Sequence, residues 1–199
     1  MTNEKAETHP AAKPLVVGIG GTTRTVSSTD RALRCALHAA EEAGARTFLF
    51  DGAFLAHLPH FAPENRERNE EQRQFVEMVG KSDGLIVASP GYHGGVSGLV
   101  KNALDLLDDL SEADPCYLDG RAVGCIVTAA GWQACVSTLM ALRSIVHALR
   151  GWPTPLGATL NTTGGIFDPS GTCTDAKVLD QINTVGKQVV EFAQKHRRA

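Results

Sequence analysis

Residues 83–88, Asp83-Gly84-Leu85-Ile86-Val87-Ala88, are a near-continuous apolar run. They lead straight into Ser89-Pro90-Gly91-Tyr92-His93-Gly94-Gly95-Val96-Ser97-Gly98. Apolar residues then recur at helical spacing, at Val96, Leu99, Val100, Ala103, Leu104, Leu107 and Leu110. A short run that is apolar on both faces is what a strand inside a parallel sheet presents, because crossover helices cover both of its sides. The order strand, glycine-rich turn, helix therefore predicts an α/β unit. In open α/β sheets ligands bind outside the carboxyl ends of the strands, which is where this turn falls. Gly94, Gly95 and Gly98 let backbone approach a flat ligand, and Tyr92 and His93 can cover its plane or edge.

The rest of the chain repeats the unit. Residues 14–19 read as a first strand, and Ala32, Leu33, Ala36, Leu37 and Ala40 place a helix at about 29–43, closed by Gly44. Residues 47–50 read as a second strand. Residues 52–68, with Pro59 and Pro63, read as a long loop holding one turn of helix. Asn69 caps a helix to Gly80 with Phe75, Val76 and Val79 inward. A fourth strand is expected at 122–127, a turn at 128–133, a helix at 134–149, a weak fifth strand at 154–160, a glycine-rich loop at 161–173 and a last helix at 174–196. Five strands alternating with helices predict a parallel three-layer α/β/α sandwich with right-handed crossovers. Two doubly wound orders fit, dinucleotide-binding and flavodoxin-like. The expected organisation is one domain at residues 14–199 behind a polar, disordered tail at 1–13.

Charge and composition narrow the function. With 19 basic and 22 acidic residues the net charge is −3, which favours neither nucleic acid nor an anionic membrane as partner. No apolar run approaches the ~18 residues of a membrane span, and the polar N-terminus lacks the apolar core of a signal peptide. The five cysteines (Cys35, Cys116, Cys125, Cys135 and Cys173) are odd in number and show no Cys-x-x-Cys pair. They read as buried, reduced thiols in a cytoplasmic protein.

The loop after the first strand decides between the two folds. A dinucleotide fingerprint finds two glycines at Gly18 and Gly20, but its third place is Thr23; Asp51 could still hold a ribose. A triphosphate loop ending Gly80-Lys81-Ser82 would need glycine where Phe75 stands. The loop itself carries six hydroxyls (Thr22, Thr23, Thr25, Ser27, Ser28 and Thr29) and one cation, Arg24. At a helix N-terminus that set suits a single phosphate monoester, although serines and threonines also cap helices with no ligand present. Other constellations are weaker. His57 and His60 lie on a proline loop with no supporting carboxylate or thiol, so no metal site is expected. Gly95-Val96-Ser97-Gly98 lacks the last glycine of a nucleophile elbow, with Leu99 in its place. Lys101 and Asp105, four apart on one helix, can simply pair with each other.

Residues 21–29 are similar to Gly-Ser-x-Arg-x-x-Ser-x-Asn, with Thr22 for serine and Thr29 for asparagine. Residues 90–105 resemble Pro-x-Tyr-(His/Asn)-Gly-x-x-(Ser/Pro)-Gly-x-x-Lys-Asn-x-x-Asp at essentially every defined place, and Leu58-Pro59-His60-Phe61 resembles Leu-Pro-x-Tyr. By these motifs the chain resembles the NADPH-dependent FMN reductases, over roughly residues 14–192. The resemblance implies a flavodoxin-like five-stranded parallel sheet of order 2-1-3-4-5. It also implies hydride transfer from NADPH through FMN to an acceptor, either free flavin for a partner monooxygenase or a quinone-like compound. A non-enzymatic flavodoxin-type carrier and a dinucleotide-binding dehydrogenase are the alternatives. The resemblance assigns Thr22, Arg24, Ser27 and Thr29 to the phosphate, with Ser28 also expected to bind the cofactor. Gly91, Tyr92, His93 and Gly94 go to the pyrimidine side of the ring, Gly131 and Gln133 border its other side and the ribityl chain, and Pro90, Ser97 and Ala130 are expected to bind the cofactor as well. No catalytic side chain is expected, since the cofactor carries the chemistry. A homodimer or homotetramer is implied. Two features depart from the pattern. The turn after the fourth strand holds only one glycine, and Trp132 within it either stacks near the ring or fills a subunit interface. The loop 161–173 receives no role.

Overall fold

The computed structural model describes residues 12–24 and 26–196; residues 1–11 of the expected tail, and Thr25, lie outside the described residues. In chain order the elements are β1 (Leu15–Gly20), α1 (Ser28–Glu42), β2 (Arg46–Phe50), α2 (Gly52–His57), α3 (Glu70–Gly80), β3 (Gly84–Tyr92), β4 (Gly95–Val96) and α4 (Gly98–Asp105). A 3-10 turn (Leu106–Leu110), β5 (Ala122–Ala129), α5 (Trp132–Ala148), β6 (Trp152–Pro153), β7 (Ala158–Asn161) and α6 (Ala176–His196) complete them.

The sheet runs β2-β1-β3-β5-β6, with β7 also on β5 and β4 on β3. Its long pairings are parallel, with Ile19 opposite both Phe50 and Val87, and Ala88 opposite Ile126. Counting β6 and β7 as two pieces of one edge strand, this is the flavodoxin-like order 2-1-3-4-5. The dinucleotide-binding order is not seen, and Asp51, the candidate ribose ligand of that reading, caps α2 by accepting from the Phe54 N–H at 3.0 Å.

Strand alternation splits the core in two. Val17, Ile19, Leu85, Val87, Val123 and Val127 pack under α2–α5 against Leu55, Phe75, Val100, Leu104, Leu142 and Val146. Val16, Ile86, Ala88 and Ile126 pack under α1 and α6 against Leu33, Ala36, Ile182, Val185 and Val189. Helices on both faces explain why the strands read as unbroken apolar runs.

Several expected boundaries move. β3 does not stop at Ala88, because Ser89 and Pro90 continue the parallel register opposite Val127 and Thr128. The chain then turns back on itself, Gly91 and Tyr92 pairing antiparallel with Val96 and Gly95. The two-residue turn between them, His93-Gly94, has φ of 52° and 84°, the positive pair a tight hairpin needs. Val96 is therefore strand, and the helix begins only at Gly98, behind its N-cap Ser97. Helix α5 starts at Trp132, two residues earlier than its apolar spacing indicates, since Gly131 at φ 120° makes the corner. The turn of helix expected in the long loop is α2, six residues long. The fifth strand is broken into β6 and β7 around Pro155, which has no N–H to give the ladder.

Candidate functional site

A cavity of about 490 Å³ opens at the carboxyl ends of β1, β3 and β5. The first loop supplies one wall through Thr22, Arg24, Ser27, Ser28 and Thr29. Ser27 is the N-cap of α1, its Oγ accepting from the Asp30 N–H at 3.1 Å. The Thr22 Oγ1 accepts from the Arg24 N–H at 3.1 Å, which closes the loop on itself. Thr29 is 2% exposed, and its hydroxyl lies 2.6 Å from that of Thr128 at the end of β5. These bonds are the capping and bracing that a polar loop makes without a ligand. The Ser28 hydroxyl and the exposed Arg24 guanidinium are different, for neither bonds another described residue. The first amides of α1 have no partner within the helix, so its positive end and one free cation meet in the cavity wall. That donor set fits a phosphate dianion.

The hairpin forms the opposite wall through Pro90, Gly91, Tyr92 and His93. Ser89, fully buried, fixes its base by donating to the Pro90 carbonyl (2.9 Å) and accepting from the Ser97 N–H (3.0 Å). Gly91 is required by packing, because a Cβ there would stand 2.8 Å from the Thr138 Oγ1 and 3.2 Å from the Ala129 Cβ. Tyr92 is 53% exposed at the rim. Ser97 lines neither this cavity nor its neighbour, and its buried hydroxyl caps α4 by accepting from the Val100 N–H at 3.2 Å. The remainder of the second motif is scaffold. Lys101 pairs with Asp105 at 2.6 Å. Asn102 accepts from the Phe61 N–H at 2.8 Å and donates to the Pro59 carbonyl at 3.1 Å, tying the 58–61 segment to α4.

The turn after β5 divides its residues. Ala130 lines the larger cavity, while Gly131 and Gln133 line an adjoining one of about 460 Å³, together with Gly94, Trp132 and Ser137. Gly131 donates its N–H to the Asn161 Oδ1 at 3.2 Å, and that same oxygen accepts from the Thr163 N–H (3.1 Å) and hydroxyl (2.7 Å). The loop 161–173 thus supports the candidate site, for its first residue holds the turn after β5 and Thr162 reaches the larger cavity. Val26, Thr128, Ala129, Ala134 and Thr162 line that cavity without having been singled out in the sequence. Thr128 and Ala134 flank the turn already recognised. Thr162 carries no signal of its own, since only the fold brings β7 alongside β5.

Of the five cysteines only Cys125 and Cys135 are buried; Cys35, Cys116 and Cys173 are half-buried, and all five are free. Burial pushes the Cys125 thiol up to about 12. Among the described residues no three His, Cys, Asp or Glu side chains group as a metal site would, and no helix is long and apolar enough to cross a membrane.

Residues 14–163, three quarters of the chain, match the family of NADPH-dependent FMN reductases. The chain belongs to this family. Among curated relatives it is 34% identical over 84 residues to an FMN-dependent NADPH-azoreductase of Staphylococcus haemolyticus, a match covering 42% of this chain and 40% of that protein. It is 32% identical over 97 residues to an FMN reductase (NADPH) of Escherichia coli, covering 47% and 48%. The chain thus spans less than half the length of either relative. Among solved structures the flavoenzyme NAD(P)H:(acceptor) oxidoreductase FerB of Paracoccus denitrificans superposes with a TM-score of 0.75 at 17% identity, over 92% of this chain and 98% of that one. An apo NADH:FMN oxidoreductase, EMOB, gives 0.65 at 20% identity over 94% and 92%. At that identity the superpositions establish the flavodoxin-like fold alone.

Proposed function

We propose that the chain is an NADPH-dependent flavin oxidoreductase that holds FMN in the larger cavity and passes reducing equivalents from NADPH to an acceptor. One observation carries the reading: a single cavity joins the unpaired donors at the α1 N-terminus to the glycine hairpin at the end of β3. Arg24, Ser28, the Ser27 and Thr22 hydroxyls and the first amides of α1 would hold the phosphate. Since the Thr29 hydroxyl is engaged by Thr128, Thr29 would contribute through its backbone N–H. Pro90 to Gly94 would offer backbone to the ring, with Tyr92 at its edge. The N-terminal turn of α5 lines both cavities and favours negative charge on whatever it faces. Bound FMN supplies the hydride chemistry; the side chains bind and orient it.

The relatives named as FMN reductase and FMN-dependent azoreductase support NADPH as donor and FMN as cofactor. Free flavin for a partner monooxygenase is one acceptor compatible with this site, and a quinone-like compound is another. Val136 and Met140, one and two turns along α5 from Trp132 and 53% and 63% exposed, offer the face on which a second copy would pack in a homodimer or homotetramer. Five free cysteines suit the cytoplasm.

The test is spectral. Purified protein supplied with FMN should retain yellow flavin absorbance through desalting and bleach when NADPH is added without oxygen. A flavodoxin-type carrier would keep its colour and react poorly with NADPH. Protein that retains no flavin would overturn the reading.

A further inference from the structure

The second half of the loop 161–173 closes on itself as a hairpin, in which Phe167 and Cys173 bridge antiparallel. The Thr174 N–H donates to the Ile166 carbonyl and the Asp168 N–H to the Thr172 carbonyl, each at 3.0 Å. The Asp168 carboxylate shapes the tip, accepting from the Ser170 hydroxyl at 2.6 Å and the Thr172 N–H at 2.9 Å. Ile166, buried, and Phe167, partly buried, seat the base of the hairpin in the core under α1 and α6. The tip is bonded to α1 through Arg31. Its guanidinium donates to the Asp168 carbonyl at 2.7 Å and to the Pro169 carbonyl at 3.4 Å, and lies 5.9 Å from the centre of the Phe167 ring. Among the described residues no other hydrogen bond crosses from the hairpin to α1, and Arg31 forms no ion pair. Its charge is spent on two backbone oxygens, a fork that a lysine cannot reproduce. Arg31 stands one turn beyond Ser27 and Ser28, which line the proposed phosphate wall. Ahead of the hairpin, Thr162 lines the larger cavity and Asn161 holds Gly131. A path therefore runs from α1 through Arg31 and the hairpin to the turn after β5, a second link between walls that the Thr29–Thr128 bond already joins.

We propose, on the reading that FMN fills the larger cavity, that Arg31 is a positioning residue: it latches the hairpin to α1, sets Asn161 and Thr162 against the cavity, and so slows release of the flavin. Arg31 lines neither cavity, so it acts through the hairpin and not by contact with the flavin. The turn it steadies is the one proposed to border the ring, so the effect falls on FMN and riboflavin alike. A hairpin tip held by two bonds opens locally, which leaves the sheet closed.

The test combines release of FMN from loaded protein, read by flavin fluorescence after dilution, with amide hydrogen exchange of the apoprotein. Arg31→Ala should speed release about tenfold, the low end for a hydrogen bond from a charged group. Riboflavin affinity should fall by the same factor as FMN affinity. Arg31→Lys, which keeps the charge but loses the fork, should restore part of the loss. The amides of Asp168, Thr172 and Thr174 should exchange faster in Arg31→Ala, while those of β1 and β3 keep their rates. Asp168→Ala loosens the tip with Arg31 in place; it should also speed release, and combining it with Arg31→Ala should add little. Faster exchange in the hairpin with unchanged release overturns the positioning role while FMN binding stands. A loss confined to FMN overturns it too, by placing Arg31 on the phosphate. Faster exchange throughout the sheet does the same, as general destabilisation. Wild type that takes up no FMN overturns the underlying function, a result seen before any variant is compared.

Discussion

The hydroxyls of Thr29 and Thr128, 99 residues apart in sequence, lie 2.6 Å from each other on the floor of the larger cavity. One belongs to the first turn of α1 and the other to the end of β5, so this bond joins the proposed phosphate wall to the turn proposed to border the ring. Both residues are almost fully buried. Thr29→Val keeps the shape and removes the hydroxyl, which leaves Thr128 without that partner in a place water reaches poorly. The expected cost is about 1–3 kcal/mol in urea unfolding, with a fall in FMN affinity. Thr29→Val with Thr128→Val should recover part of the loss, because no polar group is then stranded. Additive losses in the double-mutant cycle would show that the two hydroxyls are not coupled.

Arg24 stands in contrast. It is exposed and bonds nothing else through its side chain among the described residues, so the fold does not need it. Arg24→Ala should leave the urea midpoint of the apoprotein within error and weaken FMN binding by about 1.5–3 kcal/mol, the range for a hydrogen bond to a charged group. Fluorescence titration of FMN reads this directly, and riboflavin, which lacks the phosphate, should bind both proteins alike. An equal loss with riboflavin would move Arg24 away from the phosphate.

In the proposed site Asn161 acts as a positioning residue, since all three of its side-chain bonds are accepted by one oxygen and one of them holds Gly131. Asn161→Ala should loosen the turn that shapes both cavities, reducing FMN affinity about tenfold for roughly 1 kcal/mol of lost stability. Asn161→Asp retains an acceptor oxygen and should restore the stability. If Asn161→Ala binds FMN as tightly as wild type, the turn is held by packing alone.

Much of the fold was legible because its signals are local. Buried parallel strands are continuous apolar runs, and caps such as Asn69, whose box with Gln72 closes at 2.8 and 3.0 Å, announce themselves by residue type. The candidate site was legible, as a cavity wall, where a motif carries its own chemistry, as in the hydroxyl-rich loop and the hairpin. Two things were not. The motif around residue 101 mixes binding with scaffolding, and only the structure separates the Tyr92 rim from Asn102, which anchors a distant loop at Phe61. Contacts between segments far apart in sequence, Thr29 with Thr128 and Gly131 with Asn161, depend on strand order, which no local spacing encodes.

Cys125 sets a pH limit on the fold. Burial raises its thiol from 9.0 to about 12, so above pH 9 the unfolded chain releases a proton that the folded chain keeps. The unfolded state then binds fewer protons, and stability must fall as pH rises. The contribution is fully present below pH 9 and is lost progressively between 9 and 12. At pH 10.5 the loss should be about 2 kcal/mol, from 1.36 kcal/mol per unit. Cys35 and Cys135 are raised in the same direction by desolvation and add to the slope, so wild type alone does not isolate Cys125. The comparison with Cys125→Ala does: the variant carries a constant penalty for the lost sulfur at every pH, and its stability should decline less steeply above pH 9. Urea melts of both proteins from pH 8 to 10.5 should therefore converge, and parallel curves would show that this thiol is not the group being titrated.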